Sequence, residues 1–302
     1  MSASGNSQTT SQYRPQLLSE WGRTGFRANL ANYPHFVDAR SGDIVITEHD
    51  SHRMQFFDKY THPCRFNPFG QKGTGTNEFQ YPAGVISTNI PRSQFIVADT
   101  GNKRVCSVGI NTTPHGYAAL SFTRTFGQQV FEEPLGLDLD KARALLYVAD
   151  FGKSRVTIHD LRRGDVVAVC SPNACLRGPV DIAISPKSQA YVTDALEHKI
   201  AVFDINGKFL FSFGHGILNK PWGVCFDDDG HLLVADEGND RVLLFDMAGQ
   251  LLREVVTNVP VPKGVSVSIH GNLVLTTSDP YSFLKVIQYK ERPDGCSADR
   301  CA

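Results

Sequence analysis

The stretch FIVADTGNKRV at 95–105 returns almost unchanged as LLVADEGNDRV at 232–242. Each copy ends a short apolar run on an acid, turns, and places a base five residues after the acid. The chain then becomes apolar again. Three further copies keep the same phase: IVITEHDSHRMQFFD at 44–58, LYVADFGKSRVTIHD at 146–160 and AYVTDALEHKIAVFD at 190–204. The acid–base positions are Glu48 and Arg53, Asp99 and Arg104, Asp150 and Arg155, Asp194 and Lys199, and Asp236 and Arg241. A weaker sixth copy, NLVLTTSDPYSFLKVIQY at 272–289, has Thr277 in place of the acid and a longer loop before Lys285.

A second phrase, a proline followed by a small apolar strand, runs ahead of each copy. Its prolines are Pro34, Pro82, Pro134, Pro179, Pro221 and Pro262, at steps of 48, 52, 45, 42 and 41 residues. Internal repetition at this period with short apolar runs is the signature of a propeller array. A third phrase follows most copies: CRFNPFGQKG at 64–73, SFTRTFGQ at 121–128, FLFSFGHG at 209–216 and LLREVV at 251–256. Each unit therefore has four short strands, predicted in the fifth unit near 222–226, 231–235, 241–245 and 251–255. DDDG and DMAGQ between them suit tight reversals. The apolar runs are continuous because both faces of a blade pack on neighbouring blades.

The sixth unit lacks a fourth strand, and QLLSEWGRTG at 16–25 matches the third phrase ahead of the first proline. The predicted fold is all-β: a six-bladed β-propeller over 15–290, closed by an N-terminal strand that completes the last blade. Residues 1–14 read as a flexible leader and 291–302 as a polar tail.

Composition limits the function classes. Charged residues make up 20% and aromatics 10% of 302 residues, as in a folded soluble protein. A net charge of -1 argues against wholesale nucleic-acid affinity, though not against a local basic patch. No apolar run is long enough to span a bilayer, and no signal peptide opens the chain. The seven cysteines are too few for a disulfide framework in a chain this long and lack zinc-site spacing. They read as reduced structural thiols in a cytoplasmic protein, with no cofactor and no metal.

Together these phrases resemble NHL repeats, and the V-A-D-x-x-N-x-R form at 97–104 and 234–241 is specific. From about Gln16 to Tyr289 the chain is similar to the C-terminal propellers of TRIM-NHL proteins. Such proteins carry RING, B-box and coiled-coil segments upstream, none of which has a counterpart here. The resemblance implies a C-terminal fragment without catalytic residues. Ubiquitin-ligase activity would lie in an upstream RING. The propeller would be monomeric, and the full-length protein oligomeric through an upstream coiled coil.

The resemblance leaves three functions to weigh: capture of protein substrates or scaffold partners for a ubiquitin ligase, RNA binding, and a lyase like the peptidyl-hydroxyglycine lyases. The lyase is the most distant, because that chemistry needs histidines gathered in the channel. The ten histidines here do not recur at one phase and read as solvated loop residues. The five acid–base pairs read as structural stakes for their loops, since the same pair occurs too often to be catalytic.

The face formed by the acid–base loops and the loops entering each proline is the expected binding surface. Its candidate bases are Arg23, Arg27, Lys72, Lys103, Lys153, Arg177, Lys220 and Lys263, and its aromatics include Tyr33, Tyr81, Phe151 and Trp222. Acids are interleaved with them. The two residues after each proline should line the channel mouth: His35-Phe36, Ala83-Gly84, Leu135-Gly136, Val180-Asp181, Trp222-Gly223 and Lys263-Gly264. This mouth is more apolar than an RNA reader needs. It favours protein docking around Leu135, Phe151, Val180 and Trp222, with RNA binding as the alternative.

Overall fold

In the computed structural model, residues 14–22, 34–57, 68–90, 93–112, 118–278 and 283–290 are described. They form six antiparallel sheets arranged as the blades of a propeller. β1 (Gln16–Gly22) comes first in the chain but belongs to the last blade. Blade 1 holds β2 (Pro34–Asp38), β3 (Ile44–Glu48) and β4 (Arg53–Phe57). Blade 2 holds β5 (Pro82–Ile90), β6 (Ser93–Asp99), β7 (Arg104–Thr112) and β8 (Ala118–Phe126). Blade 3 holds β9 (Pro134–Asp140), β10 (Leu145–Asp150), β11 (Arg155–Asp160) and β12 (Val166–Val169). Blade 4 holds β13 (Pro179–Ile184), β14 (Ala190–Asp194), β15 (Lys199–Phe203) and β16 (Phe209–Phe213). Blade 5 holds β17 (Pro221–Phe226), β18 (Leu232–Asp236), β19 (Arg241–Phe245) and β20 (Leu251–Val256). Blade 6 holds β21 (Pro262–Val267), β22 (Leu273–Thr277) and β23 (Phe283–Gln288), with β1 paired antiparallel to β23 from Gln16↔Gln288 to Gly22↔Phe283. The ring therefore closes as the sequence predicts.

Each repeated proline opens an innermost strand, a position that needs no ladder N–H. The inner and middle strands are almost wholly buried, as β9 and β18 show, because neighbouring blades cover both their faces. The outermost strands β12, β16 and β20 are half exposed. Blade 1's expected fourth strand falls largely on 58–67, outside the described residues. Its end survives as a bridge between Phe69 and Met54.

The pairing of each innermost strand shifts just after its proline, for example between Pro82 and Val85 and between Pro221 and Val224. A bulge of this kind re-aims the side chains it contains. Where the second residue after the proline is glycine, it meets the next blade. A Cβ on Gly84 would lie 2.4 Å from the Leu135 carbonyl oxygen, and one on Gly223 2.3 Å from that of Lys263. Glycine recurs there because the inner strands approach so closely. The expectation that both residues line the mouth is therefore corrected at these glycines, which meet the next blade instead.

Candidate functional site

The acid–base loops lie together at the end of the channel where the inner strands begin, here called the upper face. In four blades acid and base meet. Asp99 Oδ2 accepts from Arg104 Nε at 2.7 Å, Asp236 Oδ2 accepts from Arg241 Nε at 2.8 Å, and Asp150 Oδ2 lies 3.8 Å from Arg155 Nε. Glu48 accepts from Arg53. In blade 4, Asp194 and Lys199 face each other in register, but Lys199 Nζ donates instead to the carbonyls of Ala174 (2.9 Å) and Cys175 (3.3 Å). The lysine lacks the arginine fork and reaches past the acid, so the fifth expected pair is not formed.

The acid also has a second task. Its carboxylate accepts the backbone N–H of the loop entering the same blade's proline: Gln80 to Asp99 (2.7 Å), Glu133 to Asp150 (2.9 Å), Gly178 to Asp194 (2.9 Å) and Asn219 to Asp236 (2.6 Å). The residue just before each base is left-handed: His52, Lys103, Ser154, His198 and Asp240 all have φ between 48° and 55°. From that position it reaches the next blade. His52 Nδ1 accepts from Tyr81 N at 3.0 Å, His198 Nδ1 from Lys220 N at 2.9 Å, and Asp240 Oδ1 from Val261 N at 2.9 Å. His52 and His198 are thus latches between blades; His52 is buried rather than solvated, while His198 stays exposed. Burial lowers the pKa of His52, in keeping with a neutral ring that accepts. His159 is also buried, bonded to Thr157 at 2.9 Å and to the Gly164 carbonyl at 3.1 Å.

At the mouth, Leu135 and Val180 are 6% and 0% exposed and belong to a cluster with Ala83 and Ala195, against which Phe151 and Trp222 pack. Leu135 and Val180 are therefore not available to a partner, and their expected docking role is corrected. The accessible layer above them is aromatic. Trp222 meets His35 edge-on with centroids 5.9 Å apart, His35 stacks on His49 at 4.4 Å, and Tyr81 lies 4.9 Å from His49. Lys263 Nζ sits 3.2 Å from the Trp222 ring centroid and 3.0 Å from Glu237. Burial lowers the Lys263 pKa, and burial together with His49 and Lys263 holds that of His35 well below its usual value.

The NHL repeat profile matches residues 218–245, which span the first three strands of blade 5. The chain is a six-bladed β-propeller that carries an NHL repeat in blade 5. The E3 ubiquitin-protein ligase NHLRC1 of Homo sapiens is 30% identical over 164 residues, covering 51% of this chain and 41% of that protein. Protein brain tumor of Drosophila melanogaster is 27% identical over 196 residues, covering 65% of this chain and 14% of that protein. The B-box type zinc finger protein ncl-1 of Caenorhabditis elegans is 42% identical over 57 residues, 19% of this chain and 7% of that protein. The chain spans less than half the length of each. A streptogramin B lyase structure superposes with a TM-score of 0.62 over 89% of this chain and 99% of that one, at 10% identity. At that identity the likeness is one of fold.

The rim of the propeller is charge-balanced. Lys103 Nζ lies 2.5 Å from Glu132, Arg177 Nη1 lies 3.3 Å from Glu197, and Lys153 Nζ donates to the Val130 carbonyl at 2.6 Å. Each acid or carbonyl comes from a neighbouring loop. Lys72 and Lys220 are exposed and have no ion pair among the described residues. Arg23, Arg27 and Tyr33 lie outside the described residues. Among the described residues no helix is long and apolar enough to cross a membrane.

At the opposite end the channel opens into a cavity of about 370 Å³ lined by Arg40, Asp138, Asp181, Val224 and Ser266. Arg40 bridges Asp38 (3.0 Å) and Asp138 (2.9 Å). Asp38, Asp138 and Asp181 accept the backbone N–H groups of Ser87 (2.7 Å), Ile184 (2.8 Å) and Val224 (3.0 Å), tying blades together. Burial, the largest cause, pushes the Asp181 carboxyl up to about 7. Its folded pKa lies above its unfolded value, so its contribution to stability is full at low pH and is lost as pH rises through 7. Asp181→Asn mimics the protonated form. The melting temperature of the wild type relative to this variant is expected to fall between pH 5 and pH 8. A difference independent of pH over that range would refute the burial assignment.

Proposed function

We propose that this propeller is a non-catalytic recognition module of a TRIM-NHL ubiquitin ligase that binds protein partners through its upper face. The observation that carries the reading is the pairing of rim cations Lys103, Arg177 and Lys263 with Glu132, Glu197 and Glu237 around an aromatic mouth. A surface neutralised in this way offers little field to a polyanion. A half-buried tryptophan ringed by polar groups is the usual anatomy of a protein-binding hot spot. Similarity to the human E3 ubiquitin-protein ligase supports the assignment to a ligase. RNA binding is the second reading, favoured by Lys72 and Lys220, exposed and without an ion pair among the described residues, and by the exposed Tyr81. In this reading of the protein the ligase chemistry, the oligomerising coiled coil and the cytoplasmic setting belong to the full-length molecule.

The test is capture of protein partners by the wild-type propeller and by the Trp222→Ala, Arg177→Glu double variant, both confirmed folded by their melting curves. Loss of a hot-spot tryptophan is expected to weaken capture by roughly tenfold or more. Equal capture by the folded double variant would put the binding surface elsewhere.

A further inference from the structure

Among the described residues, two buried side-chain atoms at the upper mouth have no hydrogen-bond partner: Nε1 of Trp222 and Nδ1 of His35. Their rings meet edge-on with centroids 5.9 Å apart. The two residues open the innermost strands of blades 5 and 1, so they flank Lys263 of blade 6, whose ammonium lies on the indole face. An indole N–H can only donate, so the group that completes it must bring an acceptor.

Burial, followed by His49 and Lys263, disfavours protonation of His35. Lys220 in turn disfavours the charge on Lys263. The nearest acids are already engaged: Glu237 with Lys263 at 3.0 Å and Asp50 with His49 at 2.7 Å. Glu133 approaches from blade 3, and burial, then Asp150, raises its pKa despite His49. An acceptor entering beside His35 therefore meets two unfilled hydrogen-bonding atoms, with Lys263 Nζ next to the indole that carries one of them.

We propose that the mouth binds a carboxylate of a partner protein, one oxygen accepting from Trp222 Nε1 and the other from His35 Nδ1, with the Lys263 ammonium alongside. A neutral carbonyl offers a single oxygen to the two donors. A carboxylate has two oxygens and accepts bonds on both. The proposal rests on the recognition reading above and gives its chemistry: the partner presents an acidic side chain or a free chain end to the channel axis. Trp222 is then both an apolar ring packed against the cluster of Leu135 and Val180 and the donor that reads the ligand.

The chain has two tryptophans, Trp21 and Trp222, so the protein labelled with ¹⁵N-tryptophan has two indole resonances. Trp222→Phe assigns them and removes the donor while keeping an aromatic cover. Three peptides are titrated: Gly-Glu-Glu-Gly capped at both ends, Gly-Gln-Gln-Gly with a free C-terminus, and Gly-Gln-Gln-Gly capped at both ends. A short oligouridine is a fourth probe. One of the two carboxylate peptides is expected to move the Trp222 indole N–H downfield in a saturable way, and which one it is identifies the source of the carboxylate. Affinity should fall by roughly tenfold in Trp222→Phe and in His35→Phe, the usual loss of a hydrogen bond to a charged group. The proposal is overturned if neither carboxylate peptide moves the resonance, if the fully capped neutral peptide or the oligouridine moves it as well, or if Trp222→Phe binds the acidic peptide as tightly as wild type. If Trp222→Phe does not fold, the titration of the unmutated protein decides alone. If the upper-face double variant loses its protein partner while no carboxylate shifts the resonance, this inference falls and the recognition reading stands.

Discussion

Removal of residues 1–25 is expected to lower the melting temperature by about 10 °C or more. The deletion takes away β1, whose pairing with β23 has six matched positions. It also removes the Glu20 to Lys285 ion pair of 3.3 Å between the same strands. A net contribution of roughly 1 kcal/mol per lost ladder bond sums to several kcal/mol, and each shifts the melting temperature by about 2–4 °C in a domain of this size. The loss goes beyond one strand. β1 is joined through the chain to blade 1 and hydrogen-bonded to blade 6, so it is the covalent clasp of the ring. Without it β23 presents an open edge, and concentration-dependent aggregation should accompany the lower stability. A truncated protein that melts like the full chain and stays monomeric would refute closure by this strand.

The second large effect is expected at Asp99. Asp99→Ala should cost about 3–5 kcal/mol, the range for breaking one side of a buried ion pair. Asp99 is fully buried and the Arg104 side chain is 6% exposed, so the guanidinium would be left without its anion. The substitution also strips the acceptor from Gln80 N and from Asn102 Nδ2, which lies 2.8 Å from the carboxylate. Asp194→Ala provides the internal comparison. Lys199 is held by two carbonyls rather than by Asp194, so only backbone N–H groups lose their acceptor there. Its cost is expected at roughly 1–3 kcal/mol. Denaturant unfolding of both variants measures the difference. Equal losses would mean that the acids act only by holding the entering loop and that the arginines add nothing.

The architecture was legible because a propeller repeats each local decision six times. The prolines marked the innermost strands within a residue, since only a first-strand position tolerates the missing N–H. The strands of blade 5 were placed to within about one residue, and the orphan phrase at 16–25 identified the closing strand. What escaped reading depends on the next blade rather than on the next residue. His52, His198 and Asp240 are two histidines and an aspartate, and their common left-handed conformation and cross-blade N–H bond appear only when the blades stand side by side. The same holds at the mouth. Leu135 and Val180 looked like surface because they follow prolines as Trp222 does, yet they are buried in a cluster against which Trp222 packs. The glycines at the second position were a usable signal, since four of six residues there are glycine. Lys199 could have been set apart as well, being the one lysine among four arginines in the five loops.

The central claim, that the upper face recognises protein rather than nucleic acid, is tested most directly by selection from a randomised single-stranded RNA pool followed by fluorescence anisotropy across a salt series. Paired rim cations predict weak binding that disappears near physiological salt and enriches no motif. Tight binding with a steep negative salt dependence and an enriched sequence motif would contradict the account and make RNA the ligand of the upper face.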